Sequence, residues 1–242
     1  MKKAHTGSYQ SIKLVIFDCD GVLLDSEEIA NEVEIEALKT LNIDIDSAHY
    51  QERFAGVTTK DVFAMLAKEY NKSISTQFLK KVEAKVVDAL EKEVRIIPNI
   101  EKALQEIKIP KVVASNSHFS RLSKLLTIKK LTHFFDGYIF SADFVKHPKP
   151  APDIYQYIAK KMLVSPDNCL VIEDSETGVH AAKQAGMNVL GFIKSRHFCS
   201  ETEEKLLKAG AFQVFREMKK LPAIIHSLSS IDNKNLGTAP DN

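Results

Sequence analysis

Apolar positions along this chain form two kinds of run. Short, nearly continuous ones close on polar or acidic residues: Ile12 to Asp18, Lys111 to Ala114, Gly137 to Phe140, Cys169 to Ile172 and Asn188 to Ile193. Runs of this length and continuity predict strands covered on both faces. Phe212 to Phe215 is a weaker sixth. Between them lie helix-length segments with marked ends. Asn99 precedes Ile100-Glu101-Lys102-Ala103-Leu104, and Ala185-Gly186 closes a segment that begins near Thr177. Regular alternation of strand and helix predicts an α/β fold with a doubly wound, mostly parallel, Rossmann-like sheet.

One interval breaks the alternation. From about Ile29 to Glu93 every periodic segment is helical: Phe78, Val82, Val86 and Leu90 fall four residues apart, and Thr58 to Asp61 has capping-box spacing. The expected organisation is a catalytic core of residues 12–28 and 96–226, and a helical cap of residues 29–95. An insertion after the first strand emerges beside its carboxyl end, where open α/β sheets bind ligands, so it is placed to act as a lid. Residues 1–11 and 227–242 read as flexible termini, the latter polar and aperiodic.

Composition narrows the class. A chain of 242 residues, 44% hydrophobic, can bury a full core. Its 33 basic and 32 acidic residues leave no net field to attract nucleic acid or an anionic membrane, which favours small-molecule partners. Cys19, Cys169 and Cys199 are scattered and odd in number, so they read as buried thiols in a reducing compartment, with neither disulfides nor a structural zinc site. No apolar run has the length of a membrane span, and Met1 to Ser11 lacks a signal-peptide pattern. A cytoplasmic protein is expected, and a monomer, since no feature calls for an obligate oligomer.

The chemistry lies at the ends of the apolar runs. Asp18 and Asp20, in Phe17-Asp18-Cys19-Asp20-Gly21, stand two apart at the end of the first, so both can face one pocket. Glu173-Asp174 ends another run and brings a second acidic pair to the same sheet edge. A nucleophile, a proton carrier and further carboxylates to hold a cation are what phosphoryl transfer needs, and hard oxygen donors favour Mg²⁺. Either pair alone equally fits a turn or a helix cap. Ser115-Asn116-Ser117 offers hydroxyls and an amide to an anion, or merely caps a helix. Lys149, in His147-Pro148-Lys149-Pro150, is a pocket cation or a solvated loop lysine. The chain lacks GxxxxGK[ST], GxGxxG and HExxH patterns.

Taken in order, Asp18-Cys19-Asp20-Gly21-Val22, Ser115-Asn116, Lys149 and Glu173-Asp174 resemble the four motifs of the haloacid dehalogenase-like hydrolase superfamily. The likeness runs from about Lys13 to about Phe215. The surrounding words Asp25-Ser26-Glu27, Lys149-Pro150-Ala151-Pro152-Asp153 and Glu173-Asp174-Ser175 resemble the helical-cap branch. That branch includes phosphoglycolate phosphatases, sugar-phosphate phosphatases such as 6-phosphogluconate phosphatase, and β-phosphoglucomutases. The resemblance implies a phosphatase with Asp18 as nucleophile, forming an aspartyl-phosphate, and Asp20 as general acid and base. It implies phosphate binding by Ser115, Asn116 and Lys149, the last also steadying the nucleophile. Mg²⁺ would be held by Asp18, Asp174, the Asp20 carbonyl, and Glu173 directly or through water.

Within the superfamily, Asp20 favours phosphate esters over haloacids, because halide leaves without a proton. A phosphosugar mutase is the nearest alternative. Mutases resemble this chain less at Ala30, Ala55 and Thr59, where they carry basic residues, although Arg53 or Lys60 could substitute. Arg53, in Arg53-Phe54-Ala55-Gly56-Val57, resembles part of a substrate-specificity loop, or is a surface charge. The expected substrate is a sugar or sugar-acid phosphate. A catalytically silent member that only binds a phosphorylated ligand is the remaining reading.

Overall fold

The computed structural model describes residues 11–54, 56–194 and 200–235, with side chains up to residue 229. The chain opens with β1 (Leu14–Phe17) and β2 (Leu24–Asp25). Four helices follow: α1 (Glu27–Lys39), α2 (Ser47–Phe54), α3 (Thr59–Glu69) and α4 (Thr76–Glu93). After β3 (Arg95–Ile96) come α5 (Ile100–Glu106), β4 (Lys111–Ser115), α6 (Phe119–Ile128), β5 (Ile139–Ser141) and α7 (Asp153–Met162). The chain then runs through β6 (Cys169–Glu173), α8 (Glu176–Gln184), β7 (Asn188–Phe192), α9 (Ser200–Ala209), β8 (Gln213–Phe215) and α10 (Leu221–Asn235).

Six strands pair in the order β5-β4-β1-β6-β7-β8, every pairing parallel. The continuous apolar runs follow from burial on both faces. Val15, Phe17, Val113, Leu170 and Ile172 face α5, α6 and α10, while Leu14, Ile16, Val112, Cys169 and Val171 face α7, α8 and α9. Because β1 lies between β4 and β6, the chain winds away from it in both directions. The crevice at a parallel sheet's carboxyl edge opens at such a reversal.

The strands β2 and β3 pair antiparallel, Leu24 with Ile96 and Asp25 with Arg95. The two ends of the four-helix segment therefore leave the sheet edge side by side. On α4, Val82, Val86 and Leu90 form the buried stripe. The Thr58 hydroxyl accepts from the Asp61 amide at 3.2 Å and caps α3.

Some boundaries differ from expectation. The first strand begins at Leu14, and β5 begins after Gly137, which takes φ +79° in a turn. The tail expected to be aperiodic from Ser227 instead continues α10 to Asn235. Leu228 extends the stripe of Leu221 and Ile225 into the core beside α5, so helix persists where polar composition suggested a loop. Residues 1–10 and 236–242, and Cys199, lie outside the described residues. Cys19 and Cys169 are free, buried thiols. Among the described residues no helix is long and apolar enough to cross a membrane.

Candidate active site

Asp18 follows the last residue of β1, Ser115 ends β4, and Glu173 ends β6, so the three central strands deliver their final side chains to one edge of the sheet. Over that edge lies a cavity of about 580 Å³, roofed by residues of α1, α2, α3 and α4. Asp18, Asp20, Ser115, Asn116, Lys149, Glu173 and Asp174 all line it.

Lys149 is at the centre. Its Nζ is 2.6 Å from Asp18 Oδ1, 2.6 Å from Glu173 Oε1 and 2.9 Å from the Ala114 carbonyl. The side chain is only 3% exposed, which excludes a solvated loop lysine. Burial alone would push its pKa down, but Asp18 and Glu173 overcome that and hold it well above the ordinary value. Asp18 is pushed well up by burial, with Glu173 and Asp20 adding to the shift against the pull of Lys149. Burial, followed by Glu27 and Asp18, also pushes Asp174 well up. The edge is short of positive charge.

Oxygens of Asp18, Glu173 and Asp174 lie within 4.8 Å of one another. An all-carboxylate set of this size and charge fits a divalent cation such as Mg²⁺. Glu173 already accepts from Lys149, the Tyr155 hydroxyl, the amides of Asp174 and Ser175, and the Ser175 hydroxyl. Its part in holding a cation is thus best met through water.

Two glycines make room for these acids. At Gly21, φ is +84° and a Cβ would fall 1.7 Å from Asp174 Oδ2; at Gly178 it would fall 1.8 Å from Glu173 Oε1. Gly21→Ala should cost about 1–2 kcal/mol through its backbone alone. The displaced Asp174 should also raise the Mg²⁺ concentration needed for half-maximal activity. Thermal melts and a metal titration check both expectations.

Asp20 sits in a polar nest. Ser26 Oγ donates to its Oδ1 at 2.5 Å, Ser117 Oγ to Oδ2 at 2.7 Å, and Arg121 Nη2 lies 3.2 Å from Oδ1. Burial pushes the Asp20 pKa up, but Arg121 and the two hydroxyls prevail and hold it below the ordinary value. The contacts of Ser26, Ser117 and Arg121 with Asp20 escaped sequence reasoning, although the two serines stand within the motifs quoted above. Arg121 did carry a signal, since a cation in the first turn of α6 opposes the helix dipole and calls for a nearby anion. Ser115 Oγ is 3.5 Å from Asp20 Oδ2 and accepts from the Ser117 amide at 3.0 Å.

Asn116 lines the cavity and also binds within the protein. Its Oδ1 accepts from the Lys149 amide at 2.9 Å, and its Nδ2 donates to the carbonyls of Lys149 (3.1 Å) and Gly56 (3.2 Å). It clamps the lysine loop and touches the helical segment. Arg53 is not brought to the cavity. On α2 the inward positions belong to Tyr50 and Phe54, so Arg53 points outward and pairs with Glu69 in a separate surface depression. Ala30, Thr59 and Lys60 do line the cavity, and Ala55 lies outside the described residues.

Comparison with known proteins agrees with this geometry. A conserved haloacid dehalogenase-like protein of unknown function from Agrobacterium tumefaciens str. C58 is 38% identical and superposes with a TM-score of 0.79, covering 90% of this chain and 99% of that one. The 6-phosphogluconate phosphatase of Escherichia coli K12 is 26% identical over 214 residues, 88% of this chain and 94% of the relative. Hexitol phosphatase B of the same strain is 28% identical over 183 residues, 74% and 82% of the two chains. Residues 15–192 match the family model described as haloacid dehalogenase-like hydrolase, and with its motif residues gathered on the parallel sheet's carboxyl edge, the chain belongs to that family.

Proposed function

We propose that the protein is a cytoplasmic, monomeric, magnesium-dependent phosphomonoesterase that hydrolyses a small sugar or sugar-acid phosphate through an aspartyl-phosphate on Asp18. The observation that carries this reading is the buried Lys149 ammonium bridging Asp18 and Glu173, with the carboxylate of Asp20 facing the same cavity. A carboxylate fixed beside a cation is positioned to attack phosphorus, and a second one serves the leaving group.

In the first half-reaction an Asp18 oxygen bonds to phosphorus, the ester P–O bond breaks, and Asp20 gives its proton to the departing oxygen. The alcohol leaves. In the second, Asp20 removes a proton from water as the water oxygen bonds to phosphorus. The bond from phosphorus to Asp18 breaks, and inorganic phosphate departs. The proton that Asp20 takes from water is the one it gives to the next departing alcohol, and Arg121, Ser26 and Ser117 hold its basic form between the two half-reactions. Mg²⁺ held by Asp18, Asp174 and the Asp20 carbonyl, with Glu173 behind water, would neutralise the phosphate so that an anionic nucleophile can approach.

Ser115 and Ser117 are the hydroxyls available to the phosphoryl oxygens, and Lys149 supplies their charge. Residues 29–95 act as the cap that shuts out bulk water. The named activities of the two E. coli relatives support a sugar or sugar-acid phosphate. Hydrolysis is favoured over transfer to a second hydroxyl because Ala30 and Thr59 line the cavity where mutases carry basic residues and Arg53 is turned away, so that of the two expected substitutes only the exposed Lys60 reaches it.

The decisive assay is phosphate release from p-nitrophenyl phosphate. Activity with Mg²⁺ should fall by about 10²-fold or more in EDTA and return on adding the metal. A folded sample that releases no phosphate with Mg²⁺ present would sink the proposal. Conversion of β-glucose 1-phosphate, primed with a bisphosphate, should be slower than phosphate release.

A further inference from the structure

The cap side of the cavity holds a buried carboxylate that the chemistry above leaves unused. Glu34, on α1, is 6% exposed and lines the cavity together with Tyr50 and Thr59. Tyr50 Oη donates to Glu34 Oε2 at 2.5 Å, and Thr59 Oγ1 donates to Oε1 at 2.6 Å. Both donors are neutral hydroxyls from neighbouring helices, α2 and α3. Burial pushes the Glu34 pKa up and the two hydroxyls pull against it; the next contributions come from Arg121 and Asp20, which places Glu34 within electrostatic reach of the acid-base group.

Burying a carboxylate without a cation costs several kcal/mol. A brace between three helices needs no charge. An ionised carboxylate has about four acceptor positions, and the two hydroxyls occupy one on each oxygen, leaving a free position on each. Such acceptors bind hydroxyl donors and repel anions. Lys60, Lys80 and Lys146 also line the cavity, but from exposed positions, where water screens them and they can swing away. Arg121 is engaged by Asp20. The fixed group sealed into the cap wall is the Glu34 carboxyl, with both oxygens placed as acceptors.

We propose that Glu34, braced by Tyr50 and Thr59, reads hydroxyl groups on the substrate's leaving group and selects an uncharged polyol phosphate over a sugar-acid phosphate or a bisphosphate. The proposal rests on the phosphatase reading and narrows it, dropping the sugar acids. Glu34 is a substrate-binding residue in it, with no part in moving protons.

The test compares glucitol 6-phosphate with 6-phosphogluconate, which share a carbon chain and differ in a CH₂OH or a carboxylate at C1, alongside p-nitrophenyl phosphate. For the wild-type enzyme, kcat/KM for the hexitol phosphate should exceed that for 6-phosphogluconate by about tenfold or more. In Glu34→Gln that preference should shrink by about tenfold, chiefly through a higher KM for the hexitol phosphate. A wild-type preference for 6-phosphogluconate overturns the proposal whether or not the variant folds. So does a Glu34→Gln enzyme in which all three substrates lose the same factor, the result of a purely structural brace. Hydrolysis of none of the three by wild type with Mg²⁺ overturns the phosphatase reading itself, and this proposal with it.

Discussion

Asp18→Asn is expected to lower phosphate release by on the order of 10⁴-fold or more while leaving the fold intact, because an amide oxygen is too poor a nucleophile to form the phosphoryl intermediate. Stability should not follow activity down. Asp18 is buried beside Glu173 and near Asp20, and its raised pKa reports that the ionised form is disfavoured there. Asparagine keeps an oxygen to accept from Lys149, in place of the 2.6 Å contact that Asp18 makes, and removes one negative charge from an over-acidic edge. The melting temperature without metal should therefore equal or exceed that of wild type, as when active-site strain is relieved. With Mg²⁺ the order should reverse, since the variant has lost a ligand and gains less from binding. Single-turnover kinetics and paired melts with and without Mg²⁺ check both halves. Residual turnover near wild type would mean that another group attacks phosphorus.

The sheet was legible because all of its strands but the edge strand β8 are buried on both faces, so burial left continuous apolar runs in the sequence. The acids were legible for a related reason. Two acidic pairs each follow such a run directly, and Asp18, Glu173 and Asp174 meet where β1 and β6 lie side by side. Contacts made across the fold left no such trace. Arg121 reaches Asp20 from 101 residues further along the chain, and sequence spacing carries no information about that meeting. Asn116 was found at the site but its bonds to the Lys149 backbone were not, because a side-chain amide serves an anion and a neighbouring backbone equally well. Arg53 was misplaced because helical phase decides its direction. With Tyr50 and Phe54 turned inward, a residue one step before Phe54 faces solvent, where Glu69 meets it. The last turns of α10 were missed because the few apolar residues that pin it are spaced among serines.

Lys149→Met should be the most damaging single change for the fold and nearly as damaging for activity. Methionine matches the lysine stem in volume but removes the ammonium that contacts Asp18, Glu173 and the Ala114 carbonyl. The two acids remain buried together without their shared donor, and Glu173 is 1% exposed, so water replaces that donor poorly. Removing one partner of a buried pair costs about 3–5 kcal/mol. For a chain of this size that is a fall in melting temperature of roughly 10 °C. Activity should drop by about 10²–10³-fold, the usual effect of deleting a fixed charge that stabilises a phosphoryl transition state. The metal separates these effects. The over-acidic edge should bind Mg²⁺ more tightly once Lys149 no longer competes for Asp18, so saturating Mg²⁺ should raise the variant's melting temperature more than wild type's. Turnover should stay low, because a cation that Asp18 and Asp174 would hold does not replace the ammonium that contacts Asp18 Oδ1. Melts across a Mg²⁺ series, read beside kcat on p-nitrophenyl phosphate, give both quantities from one preparation. If Mg²⁺ restored turnover together with stability, Lys149 would be acting only as a counter-ion for the buried acids and would have no part in holding the phosphoryl group.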